Sequence, residues 1–253
     1  LYKNTTGHNN IAFGYNALYE NITGSYNIAA GFNALNNRGG DYNIAIGANS
    51  LSSESGSGSG YNVAIGKSAL RINNDGQFNV AVGSDALVAN TSGRNNVAIG
   101  PSAGYWNHTG SGNVAIGRNA TNAFGTSNTT AIGQGAYATA ENMISLGNSD
   151  VTVIKGQVAF TTSSDRRLKK DIVNTRYGLN TILELRPVDY QMKSNNLEQI
   201  GFIAQELKLI VPEAVTGIEG DLHKGETLGV TYTTLIPLLT RAIQEQQALI
   251  EGQ

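Results

Sequence analysis

The sequence predicts a mainly β N-terminal part built as a parallel solenoid, followed by an α+β domain that ends in a coiled-coil helix. Three observations lead to this prediction. A short apolar motif recurs through residues 1 to about 150, glycine is abundant (31 residues) while proline is rare (4 residues), and strand and helix signals alternate beyond Gly147. Abundant glycine with only 14% charged residues is typical of tightly turning β-structure.

The repeat consists of asparagine, an apolar residue, alanine, a second apolar residue and glycine. Full copies end at Gly14, Gly31, Gly47, Gly66, Gly83, Gly100 and Gly117, and decayed copies end at Gly133 and Gly147. Successive glycines are 14 to 19 residues apart, which is the length of one solenoid coil. Units of this size bury their apolar faces only by stacking on one another.

Alternation within a copy places Val63 and Ile65 on one face of the strand and Ala64 on the other. We expect stacked coils to align the Val/Ile pairs into a continuous inner column. Gly66 and its equivalents turn the corners, because glycine has no Cβ. A second pair, such as Ala69-Leu70, forms the other side of the coil, and residues 52–60 form a corner insertion in the longest step.

The C-terminal part is predicted to contain both strands and helices. Residues 151–160 predict one or two connecting strands, and residues 177–190 predict a helix, a proline stop and a strand. Residues 200–210 predict a strand leading into an amphipathic helix, and residues 228–232 predict a further strand. Thr233 or Thr234 caps the last helix, with Pro237 in its first turns.

A heptad pattern occupies the last helix. Isoleucine recurs every seven residues and is assigned to a positions, with leucine and glutamine at d positions between them. The set is Ile236, Leu239, Ile243, Gln246 and Ile250. It predicts a short coiled coil in which Gln246 sets the register at some loss of stability, but isoleucine at a does not by itself determine the number of strands.

Four motifs occur in order over about ninety residues. They are Ser164-Asp165-x-Arg167-Leu168-Lys169-x-Asp171-Ile172, Gly-Phe-Ile-Ala-Gln-Glu-Leu at 201–207, Val-Pro-Glu-Ala-Val at 211–215 and Ala-Ile-Gln-Glu at 242–245. Together they resemble the self-cleaving intramolecular chaperone domain at the C-terminus of phage tailspikes and tail fibres. A related domain occurs in myelin regulatory factor.

This resemblance implies that the peptide bond between Ser163 and Ser164 is cut in cis by a dyad of Ser164 and Lys169. Asp165 and Arg167 are candidate supporting residues, and Asp165 can cap a short helix that starts at Arg166. A serine five residues before a lysine is a common pair, and the alternative is a polar linker that leads into a charged helix.

The chemistry requires a neutral lysine. A lysine in water has a pKa of about 10.4 and is mostly protonated at pH 7. We therefore expect Lys169 to act as a base only after folding and assembly have desolvated it. Asp171 stands where the family usually has asparagine, so no role is assigned to that position.

The N-terminal repeats are similar to the left-handed parallel β-roll in the heads of trimeric autotransporter adhesins, and to repeat segments of phage fibres. This resemblance implies a trimeric parallel β-roll in which three rolls pack side by side through the alanine face. Both resemblances imply a three-stranded coiled coil. The predicted organisation is β-roll repeats over 1–150, connecting strands over 151–163, and a chaperone auto-processing domain over 164–253.

The expected function is that of a homotrimeric phage tail-fibre or tailspike segment. Its chaperone domain would drive trimerisation and folding of the β-shaft and then release itself, as a single-turnover serine endopeptidase with no external substrate. The expected location is the virion, extracellular after assembly, or alternatively a bacterial surface. One alternative is a non-cleaving adhesive module. Another is a membrane-tethered transcription-factor precursor, but nothing basic or DNA-reading precedes the junction.

Composition narrows the partners and cofactors. A formal net charge of −2 argues against nucleic-acid binding, and no apolar run approaches the roughly 20 residues of a membrane-spanning helix. There is no cysteine, and His8, His108 and His223 lack ligand spacing, so we predict neither a metal nor another cofactor. The chain starts at Leu1 rather than Met, which is expected of a fragment.

The repeat region offers one candidate contact with a host-surface glycan or receptor. Tyr105 and Trp106 are adjacent aromatic residues, and aromatic rings stack on sugars. The favoured alternative is that both rings pack into a corner of the coil. The glycosylation sequons at Asn4, Asn21, Asn90, Asn107 and Asn128 are attributed to the asparagine-rich composition.

Overall fold

The computed structural model describes residues 1–36, 40–52, 60–193, 196–222 and 227–252. These residues form two compact units, Leu1–Val151 and Thr152–Gln253. His223 and most of the glycine- and serine-rich insertion, residues 53–59, lie outside the described residues.

The N-terminal unit is a β-solenoid. In the described residues its strands form one parallel sheet of nine, in the order β1 (Ile11–Phe13), β2 (Ile28–Ala30), β3 (Ile44–Ile46), β4 (Val63–Ile65), β5 (Val80–Val82), β6 (Val97–Ile99), β7 (Val114–Ile116), β9 (Thr130–Ile132) and β11 (Ile144–Leu146). A second parallel pair joins β8 (Thr121–Asn122) to β10 (Tyr137–Ala138). The repeats stay in register, so Ala45, Ala64 and Ala81 follow one another across the sheet.

The orientation predicted for the strand faces is wrong. Ala64 is fully buried, whereas Ile65 is 37% exposed and Val63 is partly exposed. The core consists of alanines from the strands, alanines from the turns after them, and leucines such as Leu70 and Leu87. Alternation shows which residues share a face but not which face points inward. A narrow coil filled by alanine and leucine leaves the Val/Ile pairs outside.

The corner glycines and the buried small-then-apolar pairs agree with the sequence. Gly66 has φ +131°, and a Cβ there would lie 2.5 Å from the carbonyl oxygen of Gly83 in the next coil. Leu70 has φ +50° and Leu87 has φ +48°, a left-handed conformation that bulky residues rarely adopt. Packing in the core holds these leucines in the left-handed conformation.

A column of buried asparagines joins the coils, a role that the sequence analysis missed. The backbone N–H of Asn96 donates to Oδ1 of Asn79 (3.0 Å), and Nδ2 of Asn79 donates to the carbonyl oxygen of Gly93 (2.9 Å). The same backbone-to-side-chain bond links Asn10, Asn27, Asn43, Asn62, Asn79, Asn96, Asn113 and finally Thr129. The asparagine at the start of each repeat therefore satisfies buried backbone groups.

A second set of asparagines closes the turns. Three sequon asparagines, Asn21, Asn90 and Asn107, are buried. Each donates Nδ2 to the carbonyl oxygen of the glycine three residues later. These sequons therefore reflect the turn geometry of the repeat.

Stacked aromatic rings run along one edge of the first coils. Tyr26, Tyr42, Tyr61 and Phe78 stack face to face with centroid separations of 4.8 to 5.0 Å. Each occupies the position before the asparagine of its repeat and has φ near +60°. The ring spacing equals the separation of adjacent strands, so the stack follows from the coil register.

The C-terminal unit is a small α+β fold, as predicted. Its elements are α1 (Leu179–Glu184), β12 (Val188–Gln191), β13 (Glu198–Gly201), α2 (Ala204–Ile210), β14 (Val215–Gly217), β15 (Leu228–Val230) and α3 (Leu235–Glu251), with short 3-10 turns at 166–168, 212–214 and 232–234. β12 pairs antiparallel with β13, and β14 with β15. Leu207, Val211, Ala214, Leu235 and Leu238 form the core.

Two local expectations differ from the structure. The strands expected over 151–163 are not formed, and residues 152–163 have no regular secondary structure. A strand needs a neighbouring strand to satisfy its backbone groups, and no strand in the described part of its unit pairs with this segment. Thr234 occupies the N-cap position of α3, but its side chain makes no capping hydrogen bond.

The asparagine column yields a stability prediction. In Asn79→Ala the N–H of Asn96 loses its acceptor inside the core, which costs about 1–3 kcal/mol. The carbonyl oxygen of Gly93 keeps a second donor, Nδ2 of Asn90. The unpaired N–H of Asn96 therefore accounts for most of the lost stability. Calorimetry should show a lower unfolding temperature than in the exposed-amide control Gln134→Ala. Equal melting of the two variants would contradict the role assigned to the column.

Candidate functional site

The predicted junction lies in an exposed segment. Ser163 and Ser164 precede a 3-10 turn over Arg166–Leu168, which Asp165 caps by accepting a hydrogen bond from the backbone N–H of Arg167 (2.8 Å). The expected cap is therefore present. The N–H of Lys169 closes the turn on the carbonyl oxygen of Arg166 (3.1 Å).

The turn brings the two predicted dyad residues together. Nζ of Lys169 donates a hydrogen bond to Oγ of Ser164 at 2.6 Å, and both residues are exposed. A donating ammonium holds the hydroxyl in place but has no lone pair with which to take its proton. The distance lies within reach of proton transfer once the lysine is neutral.

The candidate supporting residues bind each other. Nε and Nη2 of Arg167 donate to the carboxylate of Asp165 at 2.6 to 3.1 Å. The Arg167 side chain, together with its backbone N–H, lowers the pKa of Asp165. Asp165 therefore shapes the turn as a carboxylate that accepts from Arg167. Asp171 has φ +50°, a conformation that aspartate and asparagine tolerate better than most residues.

The second motif, at 201–207, has a structural role in the chaperone domain. Gly201 ends β13 where a Cβ would collide with the hydroxyl of Tyr232, and the N–H of Phe202 donates to that hydroxyl (3.2 Å). Leu207 is buried, and Glu206 accepts a forked pair of hydrogen bonds from Arg186. These bonds lower the pKa of Glu206.

The third motif, at 211–215, has a similar structural role. Val211 and Ala214 are fully buried. Glu213 accepts hydrogen bonds from the hydroxyl of Tyr177 (2.8 Å) and from Arg176 (2.7 Å), and Tyr177 contributes most to lowering the pKa of Glu213. Sequence reasoning missed this pairing because 36 residues separate Tyr177 from Glu213.

The fourth motif supplies a cap from a distant helix. Glu245, on α3, accepts a hydrogen bond from the backbone N–H of Leu179 at the start of α1 (2.8 Å). Gly178 leaves room for this carboxylate, which a Cβ would contact. Arg241 donates to the other carboxylate oxygen (2.8 Å). No sequence signal marks a contact across 66 residues.

The heptad residues of α3 lie on its free face. Leu235, Leu238 and Ala242 are the buried residues of this helix. The predicted coiled-coil residues Ile236, Leu239, Ile243, Gln246 and Ile250 are exposed. The helix therefore presents one face to the core of its own unit and the heptad face outward.

The first motif coincides with the boundary of a known family. Residues 164–216 match the chaperone of endosialidase family, peptidase S74. The match covers about a fifth of the chain and begins at Ser164 itself. It supports a C-terminal intramolecular chaperone domain, and the family name is that of a self-cleaving peptidase. No curated protein and no solved structure matches the chain.

The described residues contain no cluster of three or more histidine, aspartate, glutamate or cysteine side chains that could hold a metal ion. No helix among them combines the length and apolarity needed to cross a membrane.

The cap on α1 makes the chaperone domain sensitive to acid. The Leu179 N–H lowers the pKa of Glu245 below its ordinary value of 4.5, so the carboxylate stabilises the fold above that pH and the contribution is lost as the pH falls further. Circular dichroism at 222 nm reports this domain, which holds the described α-helices. We expect the melting temperature of the helices to decrease as the pH drops below 4.5. The decrease should be less steep in Glu245→Gln than in Glu184→Gln, a control at an exposed residue. Identical pH profiles would contradict the assignment.

Proposed function

We propose that this chain is a homotrimeric segment of a phage tail fibre or tailspike. Its chaperone domain drives trimerisation and folding of the β-solenoid and then releases itself by cutting between Ser163 and Ser164. The observation that carries the proposal is the 2.6 Å hydrogen bond between Lys169 and Ser164, at the residue where the family match begins. The proposed location is the virion, outside the cell after assembly.

The proposed cut is an N-to-O acyl shift followed by hydrolysis. Neutral Lys169 takes the proton of the Ser164 hydroxyl while Oγ attacks the carbonyl carbon of Ser163. The C–N bond breaks, the proton passes to the departing nitrogen, and an ester joins Ser163 to Oγ of Ser164. Water then hydrolyses the ester to give the carboxyl group of Ser163 and a free hydroxyl on Ser164. Each chain reacts once.

Exposure supports a link between cutting and assembly. A lysine in contact with water is an ammonium at pH 7, which can donate a hydrogen bond but cannot take a proton. Apolar side chains on both sides of the bond are exposed, among them Phe160 (93%), Val158 and Leu168. Covering these side chains in a trimer would remove water from Lys169 and favour its neutral form.

The solenoid carries an apolar surface suited to a trimer. The outward residues of the nine-stranded sheet are mostly valine and isoleucine, and Ile46, Ile65, Ile99 and Ile132 are exposed. A contiguous apolar face of this kind marks a protein contact. Three rolls would therefore meet through the Val/Ile face, not through alanine as the adhesin resemblance led us to expect.

Backbone conformation explains why such a solenoid needs a chaperone. Nine bulky residues have positive φ: Leu18, Leu35, Leu51, Leu70, Leu87, Tyr26, Tyr42, Tyr61 and Phe78. Each left-handed residue costs roughly 1–2 kcal/mol. Stacking on neighbouring coils offsets this cost, so a first coil is unfavourable by itself. A C-terminal nucleus that aligns three chains lowers the barrier to forming it.

Replacing the nucleophile should abolish the cut. We expect the wild-type chain to yield fragments of residues 1–163 and 164–253, and Ser164→Ala and Lys169→Ala to remain intact because each lacks one half of the dyad. Intact-mass spectrometry of freshly purified protein identifies the bond. The control Ser163→Ala keeps the dyad and should still be cut. An uncut wild type would favour the non-cleaving adhesive module, and a cut Ser164→Ala would refute the dyad.

The heptad face should couple assembly to cutting. Ile243→Asp places a charge on the exposed a position and should convert trimer to monomer, with cutting at least about tenfold slower because Lys169 stays in water. Light scattering gives the mass and electrophoresis gives the rate. Gln244→Asp adds the same charge beside the heptad face and should behave as wild type. Rapid cutting by a monomeric Ile243→Asp would show that assembly is not required.

A further inference from the structure

Three tyrosines from successive coils, Tyr26, Tyr42 and Tyr61, form a column of stacked phenol rings. The ring centroids of Tyr26 and Tyr42 are 4.8 Å apart and the ring planes differ by 1°. Tyr42 and Tyr61 stack at 5.0 Å with an angle of 14°. Phe78 continues the stack at 4.9 Å but carries no hydroxyl group. Tyr42 is therefore an immediate neighbour of one phenol on each side.

The backbone holds the tyrosine column in place. The N–H of Tyr42 donates to the carbonyl oxygen of Ser25 (3.1 Å), and the N–H of Tyr61 donates to that of Asp41 (2.9 Å). Each bond thus ends on the residue directly before the tyrosine of the preceding coil. The three tyrosines have φ of 60°, 59° and 61°, so they share one backbone conformation. The rings stay adjacent as long as the coils stay stacked.

The tyrosine column is also accessible from solvent. Tyr26, Tyr42 and Tyr61 are 44%, 47% and 51% exposed. Stacking covers the ring faces and leaves the ring edges, which carry the hydroxyl group and the carbons beside it, partly uncovered. An oxidant in solution can therefore reach phenols that already lie against one another.

Other tyrosines of the solenoid differ in their neighbours. Tyr2 and Tyr19 form a second parallel pair with centroids 5.2 Å apart. Tyr105 meets Trp106 edge to face at 5.0 Å, and both residues are exposed. The packed corner that the sequence favoured for these two residues therefore does not form. Tyr105 provides a comparison for the column, because it is an exposed tyrosine whose stacking partner is not a phenol.

We propose that Tyr42 is the site of an oxidative cross-link that joins two coils covalently, to Tyr26 on one side or to Tyr61 on the other. The co-reactant is hydrogen peroxide acting through a haem peroxidase. The chain has no cysteine and so cannot join its coils through disulfides. A tyrosine link restricts the unfolded chain as a disulfide does. This modification goes beyond self-release, because it belongs to the solenoid and uses neither Ser164 nor Lys169.

Two phenols react in each link. Each gives one electron and its hydroxyl proton to the oxidant, and the two phenoxyl radicals join through a C–C bond between the ring carbons next to the oxygen-bearing carbons. The hydrogens on those two carbons then pass to the oxygens and restore both phenols. Hydrogen peroxide takes up the two electrons and two protons and becomes two molecules of water. The product has lost two hydrogen atoms.

The test exposes dilute purified protein to a haem peroxidase and hydrogen peroxide. Trypsin then cuts after Arg38 and glutamyl endopeptidase after Glu54, so each tyrosine of the column falls in a separate peptide. We expect mass spectrometry to find the Tyr42 peptide joined to that of Tyr26 or Tyr61 with the loss of two hydrogen atoms. Denaturing electrophoresis should show that the linked material keeps the mass of one chain. No link at Tyr42, or links only between chains, overturns the proposal.

Phenylalanine variants separate the tyrosine column from chance encounters, because they keep the stacked ring and remove only the hydroxyl group. Tyr42→Phe should lose both linked peptides, since Tyr26 and Tyr61 are two coils apart. Tyr61→Phe should keep the link between Tyr26 and Tyr42, and Tyr105→Phe should behave as wild type. A link between Tyr26 and Tyr61 in Tyr42→Phe overturns the proposal. Cleavage at Ser164 is scored separately, so the two proposals can fail independently.

Discussion

Each coil of the solenoid depends on its neighbours, because its backbone hydrogen bonds lead to the coils before and after it. A three-residue strand such as Val80–Val82 has no stability of its own. The Asn62–Asn79–Asn96 chain of hydrogen bonds adds a second inter-coil connection at the point where each strand begins. The solenoid is stable because each coil stacks on others like it. For the same reason the first coil is difficult to form.

That constraint supports the proposed assembly and self-release at the Ser163–Ser164 bond. A structure whose first coil is unfavourable benefits from a separate unit that brings several chains together. Once the coils have formed, the unfolding barrier retains them, and a nucleus is no longer needed. Self-release after assembly would make the process one-way. Ser164 and Lys169 are exposed, which fits the proposal that the bond is cut only after the chains have met.

The four motifs divide into one that holds the proposed dyad and three that build the fold. Gly201, Glu213 and Glu245 each hold a particular backbone or side-chain contact within the chaperone domain. Ser164 and Lys169 contact each other across a turn that Asp165 and Arg167 stabilise. The proposed dyad therefore lies on a short local turn, while long-range contacts give the domain a stable core.

The repeat period and the glycine corners could be predicted from the sequence, because each depends on contacts within a coil or a turn. The Ser164–Lys169 pair was implied by the family resemblance, and most of the C-terminal elements were predicted, although not the strand Val215–Gly217. The inward face of the strands, the Glu245–Leu179 cap and the lack of strands at 152–163 could not be predicted. The alternating pattern of a strand is the same whichever face points inward. A contact between residues 66 positions apart, such as Leu179 and Glu245, leaves no local pattern in the sequence. Local geometry was thus determined by the chain itself, whereas only tertiary packing decided that alanine lies inside and valine and isoleucine outside, since the narrow coil has room for nothing larger on its strands.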